Sequence, residues 1–149
     1  MRIDQHGKFS DAEQNQDGGR RNEAFITQHG GGFLVGWFND SYQLQDGGKD
    51  NYVSADITGS VNTTEQYQNL GDDNYATIDI DGSFNHGYQS QDGDGLNFAT
   101  LVVNGHGNWS SQIQDGSGNT STVTQTGNGN HSTVSQVGMN NMSTVIQNN

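Results

Sequence analysis

The sequence predicts an all-β chain. The expected fold is a two-sheet β-solenoid of strand, arc, strand and arc, with about 22–23 residues per coil, whose coils stack into cross-β fibres. Three observations predict it. The unit Asn-x5-Gln-x-Gly recurs at a spacing of about eleven residues. Within each unit the residue character alternates with a period of two, as on a strand whose side chains point alternately to its two faces. The chain contains no proline, which would remove one ladder donor at every occurrence.

Residues 1–38 read as degenerate N-terminal units, marked by Gln5, Gly7, Gln16 and Gly18 and by a first clear copy at Asn22 with Gln28 and Gly30. An irregular apolar segment at 33–38, Phe-Leu-Val-Gly-Trp-Phe, then interrupts the register. Residues 39–149 read as a regular repeat solenoid. Its clear copies start at Asn39 (Gln45, Gly47), Asn85 (Gln91, Gly93), Asn108 (Gln114, Gly116), Asn119 (Gln125, Gly127) and Asn130 (Gln136, Gly138). Asn62 with Gln68 fits if the glycine slips to Gly71, and Asn141 with Gln147 ends the series. Three alternate copies replace the glutamine by an aliphatic residue: Asn51 with Ile57 and Gly59, Asn74 with Ile80 and Gly82, and Asn97 with Val103 and Gly105. The middle of the chain therefore has a two-unit period, one coil made of two similar halves.

The asparagine and the positions two, four and six residues beyond it are expected to face inward. One half contributes Val53, Ala55 and Ile57 and their counterparts, and the other contributes Gln43, Gln66, Gln89 and Gln112 beside Gln45, Gln68, Gln91 and Gln114. Buried amides are costly alone, but stacked strands lie about 4.8 Å apart, so identical amides can hydrogen-bond along the axis. The arc glycines, Gly30, Gly47, Gly59, Gly82, Gly93, Gly105, Gly116, Gly127 and Gly138, are expected to turn the chain. Outward Asp56 and Asp79 stack one coil apart, as do Asp50 and Asp73 in the arcs. Like charges at about 4.8 Å in water repel by roughly 0.9 kcal/mol, which suits acidic gatekeepers against premature stacking. Tyr52, Tyr75 and Phe98 share one outward position and are expected to form an aromatic ladder.

Composition excludes several functions. With 28% hydrophobic residues and 22 glycines among 149, the chain is poorly supplied for an ordinary globular enzyme core. A net charge of -12 and a pI near 4.3 oppose nucleic-acid binding. No apolar run is long enough to span a bilayer, and the first ten residues lack a signal-peptide core, so any export signal is expected outside this chain. There is no cysteine for a disulfide or thiolate site. His6, His29, His86, His106 and His131 lack metal-type spacing and read as turn or surface residues. Asp-rich turns such as Gln91-Asp92-Gly93-Asp94-Gly95 match neither an EF-hand loop nor a calcium nonapeptide, and their aspartates read as solvated turn formers. No catalytic constellation or cofactor loop can be placed, so neither an enzyme nor a cofactor is expected.

The repeated Asn, Gln and Gly, and Ile26-Thr27-Gln28-His29-Gly30-Gly31-Gly32 in particular, resemble the curlin repeat of curli fibre subunits, Ser-x5-Gln-x-Gly-x2-Asn-x-Ala-x3-Gln. The resemblance implies a secreted bacterial protein that polymerises end to end into functional amyloid of the biofilm matrix. It implies as partners further copies of itself, a homologous nucleator subunit and secretion machinery. The sequence departs from the family pattern at Ile57, Ile80 and Val103, at residues 33–38, and at an N-terminus unlike the family's export-targeting segment. Independently of the resemblance, open end coils expose strand edges that another copy of a self-repeating chain can satisfy, and the uniform units at 121–147 mark a docking end. A second reading is a monomeric solenoid binding ice or glycan on a flat face, motivated by outward Thr77, Thr100, Thr122, Thr133 and Thr144, one per strand.

Overall fold

The computed structural model describes residues 1–6, 10–30 and 38–149. The irregular segment expected at 33–38 lies outside them except for Phe38. Strands β1 (Arg2–His6), β3 (Glu23–His29), β5 (Tyr52–Ser60), β7 (Tyr75–Ser83), β9 (Phe98–His106), β11 (Thr120–Asn128) and β13 (Met142–Asn148) form one sheet in that spatial order. Strands β2 (Asp11–Asp17), β4 (Asp40–Asp46), β6 (Thr63–Asn69), β8 (His86–Gly95), β10 (Trp109–Ser117) and β12 (His131–Met139) form the second. Every pairing is parallel, because the chain returns to each sheet after one full coil. The chain is thus a two-sheet parallel β-solenoid.

Register follows the repeat. Ile57 pairs with Ile80, Ile80 with Val103, and Val103 with Gln125. The alternation of inward and outward residues is kept on the internal strands, with Ser111 on β10 buried at an outward position, since a one-residue slip would turn each inward set to solvent. The apolar core is small: Ile78, Ile80, Leu101, Val103, Val123 and Val134 cluster, with a separate group of Ala24, Val53 and Ala76. At roughly 1.5–3 kcal/mol for each large aliphatic side chain buried, this core is supplemented by the polar interior described below. Gly87 shows how tightly the two sheets mesh. A Cβ there would lie 2.9 Å from Leu101 Cδ2, whereas the equivalent inward positions elsewhere hold Ser41, Thr64 and Ser110.

The strands are longer than the six or seven residues expected, reaching nine or ten from β7 to β12. Pairing continues through the bend because successive glycines stack: Gly59 on Gly82, Gly82 on Gly105, and Gly105 on Gly127. The asparagine that opens each strand is preceded by a left-handed residue. Arg21, Phe38, Asp50, Val61, Asp73, Phe84, Leu96 and Asn140 have φ between 56° and 69° there, and Gly107, Gly118 and Gly129 take φ 68°. A side chain at this φ costs about 1–2 kcal/mol.

Two glycine substitutions separate steric closure from backbone strain. At Gly82 (φ 139°) a Cβ would lie 1.8 Å from Gly105 O, so Gly82→Ala should break the bend and sharply lower the urea midpoint. At Gly107 nothing lies within 4 Å, so Gly107→Ala should cost only about 1–2 kcal/mol.

Candidate functional site: the stacked amide ladders

The inward glutamines form two ladders in the six-stranded sheet. Gln43 Nε2 donates to Gln66 Oε1 at 2.8 Å, Gln66 to Gln89 at 2.9 Å and Gln89 to Gln112 at 2.8 Å. Gln45 donates to Gln68, Gln68 to Gln91, Gln91 to Gln114 and Gln114 to Gln136, each at 2.9 Å. Gln14 and Gln16 extend the two ladders to β2. The same nitrogens also donate to main-chain oxygens of the facing sheet, for example Gln89 to Thr77 O and Gln91 to Tyr75 O, both at 2.9 Å. Each amide therefore ties its coil to the next and one sheet to the other. This is how Gln43, Gln45, Gln66, Gln68, Gln89, Gln91, Gln112 and Gln114 are held within 1% of full burial without a desolvation penalty.

The asparagines stack differently from the amide-to-amide pattern expected. Asn39 Oδ1 accepts the main-chain N–H of Asn62 at 3.0 Å, and the same bond links Asn62 to Asn85 and Asn85 to Asn108. Asn51, Asn74, Asn97 and Asn119 are linked in the same way. Asn39 Nδ2 donates to Gly59 O at 3.0 Å and Asn62 Nδ2 to Gly82 O at 2.9 Å. One methylene shorter than glutamine, asparagine mainly satisfies the backbone of the next arc, and among the described residues only Asn130 and Asn141 also donate to a stacked side chain, to Asn108 Oδ1 at 3.1 Å and Asn119 Oδ1 at 3.0 Å. It acts as a fastener of the bend.

In the seven-stranded sheet the glutamine ladder is split. Gln5 donates to Gln28 at 2.9 Å and Gln125 to Gln147 at 2.9 Å, with Ile57, Ile80 and Val103 between the two pairs. Gln125 Oε1 faces Val103 and is buried with no hydrogen-bond partner, as is Gln14 Oε1. A buried acceptor left unpaired costs about 1–3 kcal/mol.

Outward positions carry aromatic stacks, three of which are made of three residues each among the described residues. Tyr52, Tyr75 and Phe98 lie with ring centroids 4.8 Å apart and interplanar angles of 8° and 2°. Tyr42, Tyr67 and Tyr88 zigzag at 5.6 and 5.7 Å, and Trp109 lies between His86 at 6.0 Å and His131 at 4.4 Å. Sequence reasoning missed the last two. Their signal was an aromatic residue directly after Asn85, Asn108 and Asn130, and tyrosines alternating between the third and fifth residues after the asparagine. Burial and a hydrogen bond from Tyr67 Oη to Glu65 at 3.1 Å push the Tyr67 phenol up to about 12.

The acidic positions behave unequally. Asp56 and Asp79 are in-register neighbours, and burial, then Asp56, then Asp81 raise the Asp79 carboxyl above its ordinary value. Asp50, in contrast, is paired with Arg21 at 2.5 Å, and Asp72 lies 3.7 Å from Lys49, so opposite charges alternate in these arcs. Threonine is also distributed differently from one per strand. Strand β11 presents Thr120, Thr122, Thr124 and Thr126 outward, while Thr133 lies on the other sheet. Gly30 donates its N–H to His6 O at 2.7 Å, and Gly47, Gly93, Gly116, Gly127 and Gly138 all have positive φ. Asp92 Oδ1 accepts the Gly93 N–H at 2.8 Å, the local bond of a turn-forming aspartate. Among the described residues no group of three or more His, Cys, Asp or Glu could hold a metal, and no helix is long and apolar enough to cross a membrane.

Two measurements probe these columns. Val103→Gln alone moves the orphan acceptor to position 103, above Ile80, and should lower the urea midpoint. Ile57→Gln and Ile80→Gln added to it would run one ladder from Gln28 to Gln125, so the triple variant should lose much less than the three single losses combined. Because the folded-state pKa of Asp79 is raised, ionisation opposes folding. Stability should therefore rise as pH falls from neutral through the raised value and level off below the ordinary carboxylate value. In Asp79→Asn that rise, followed by thermal melting against pH, should shrink; an unchanged profile would refute the assignment.

Residues 122–148 match the family model of the curlin associated repeat. No curated protein matches the chain. The matched segment spans most of β11, all of β12 and β13, and the asparagines and glutamines that fasten them. The family is a structural, non-enzymatic one. The unit that stacks the two sheets is thus, in the C-terminal coils, similar to the curlin associated repeat.

Proposed function

We propose that the chain is the structural subunit of a curli-like functional amyloid, stacking end to end into extracellular fibres of a biofilm matrix. The single observation that carries this reading is the one-way repetition of the coil interface. In every glutamine pair, a coil donates through Nε2 to the coil that follows it. An interface repeated so often within one molecule can be used again between molecules. The outer sides of β12 and β13, and of β1 and β2, have no strand among the described residues. Met142 and Ile146 on β13 are 82% and 66% exposed. Such edges template addition of a further strand.

In this reading Asp56 and Asp79, with Asp50 and Asp73, act as gatekeepers that slow stacking until a matching edge is met. A homologous nucleator and a secretion apparatus are the expected partners beyond the chain itself, and no cofactor is required. The four threonines of β11 form a single row, and the in-register neighbours of Thr124 are Val102 and Ile146, so an ice- or glycan-binding lattice has less support.

Purified chain incubated with an amyloid dye should show a lag followed by growth. Electron microscopy should show unbranched fibres, and diffraction a meridional spacing of about 4.8 Å. Protein that stays monomeric, with no dye response on seeding by its own aggregates, would overturn the proposal.

A further inference from the structure

All five tyrosines of the chain stand next to another tyrosine, in two columns on the outer faces of the two sheets. Tyr52 on β5 and Tyr75 on β7 are register partners, with ring centroids 4.8 Å apart and planes 8° from parallel. Phe98 on β9 continues that column at the same 4.8 Å. On the six-stranded sheet Tyr67 lies between Tyr42 and Tyr88, at 5.6 and 5.7 Å, with the rings tilted by 44° and 41°. None of the five is buried, so a small solute reaches every ring.

Phenols held this close share a reaction that phenylalanine lacks. A one-electron oxidant takes an electron and the phenolic proton from tyrosine and leaves a phenoxyl radical, whose unpaired electron spreads onto the ring carbons ortho to the oxygen. An isolated radical must wait for a partner to arrive. Here the partner is fixed on the next strand by the parallel register, and a pre-oriented pair reacts as though at very high concentration. Tyr67 has a further advantage. Burial and its hydrogen bond to Glu65 push its phenol up to about 12, so it is protonated at neutral pH and must shed the proton as it loses the electron. Glu65 Oε2, which accepts the Tyr67 hydroxyl at 3.1 Å, is placed to receive that proton.

We propose that the two tyrosine columns are sites of oxidative cross-linking, at which a haem peroxidase using hydrogen peroxide joins Tyr52 to Tyr75, and Tyr67 to Tyr42 or Tyr88, as dityrosine. Each bond forms between ring carbons ortho to the two hydroxyls. The hydrogens on those carbons pass to the phenolic oxygens as the rings regain aromaticity. Two electrons and two protons leave per bond, and they reduce one hydrogen peroxide to two waters. The parallel rings of Tyr52 and Tyr75 turn about their Cβ–Cγ bonds to bring the ortho carbons together, and the outward position leaves room for that rotation. Each bond ties one coil to the next, as a disulfide ties two segments and restricts the unfolded chain. In a chain without cysteine it supplies a covalent staple by other chemistry. Both columns lie within one molecule, so the inference does not rest on the proposed stacking.

Freshly purified, dilute chain treated with a haem peroxidase and hydrogen peroxide should gain dityrosine fluorescence while remaining monomeric, at a rate independent of chain concentration. Peptide mapping should find Tyr52 joined to Tyr75, with the loss of two hydrogens per bond. Tyr75→Phe keeps the ring stack and should remove that link while sparing the link at Tyr67. Tyr67→Phe should remove every link on the other face, because Tyr42 and Tyr88 lie two strands apart. Glu65→Gln should slow the Tyr67 link several-fold, with the Tyr52 to Tyr75 link as the internal reference. Chain cross-linked while folded should unfold at a higher urea concentration than untreated chain. Pairings scattered alike in folded and urea-unfolded chain, or links formed only between molecules, would overturn the proposal, and a Tyr67 link unaffected by Glu65→Gln would overturn the part given to Glu65.

Discussion

A glutamine amide buried in a protein interior needs partners for two donors and an acceptor, and this molecule supplies them by placing an identical amide one strand spacing away. The rest of the structure depends on that constraint. It requires parallel strands, because only a parallel return puts the same unit position over itself. It requires the strands to keep register, because a one-residue slip would turn the inward amides to solvent, whereas differences in arc length are absorbed between strands, as at the register shift between Asp115 and Ser117. It also favours glycine where arcs stack on arcs, since Gly59 and Gly82 leave no room for a Cβ against the carbonyl of the next bend. A chain with few apolar residues folds here because its polar interior satisfies itself coil by coil.

The aliphatic column adds a second source of cohesion. Ile57, Ile80 and Val103 occupy positions where the flanking coils carry Gln28 and Gln125, and Ile78 and Leu101 pack beside them. These coils gain burial of apolar surface, while Gln125 Oε1 loses its donor at the junction. The exchange leaves the middle of the solenoid held by packing on one sheet and by amides on the other. The C-terminal coils matched by the family model carry glutamine on both sheets, with Val123 and Val134 in the adjoining column.

Much of this was legible in the sequence because stacking converts a linear period directly into a contact. The spacing of Asn39, Asn62, Asn85 and Asn108 places these residues in one column, and alternation within the unit identifies the inward set. What escaped reading depends on side-chain reach and on diagonals. Asn39 and Gln45 look alike as stacked amides, but Gln45 donates to its neighbour's side chain while Asn39 bonds the backbone of the next arc. The Tyr42, Tyr67 and Tyr88 stack crosses between columns, so a search at fixed unit position passes over it. The pairing of Arg21 with Asp50 likewise follows from coil adjacency across 29 residues, a longer step than the regular 23. The left-handed residue before each asparagine is invisible to composition, since it can be Arg, Phe, Asp, Val, Leu, Asn or Gly.

The glutamine ladders also have an electrical consequence. In each bond the N–H end of one amide points toward the later coil and the carbonyl end toward the earlier one. Aligned dipoles add, as peptide units do along an α-helix. The side-chain amides therefore give the solenoid a permanent polarisation along its axis, with partial positive charge toward β12 and β13 and partial negative charge toward β1 and β2. The two faces that cap the stack are then chemically unlike, one rich in hydrogen-bond donors and the other in acceptors, and an object built from them has a direction.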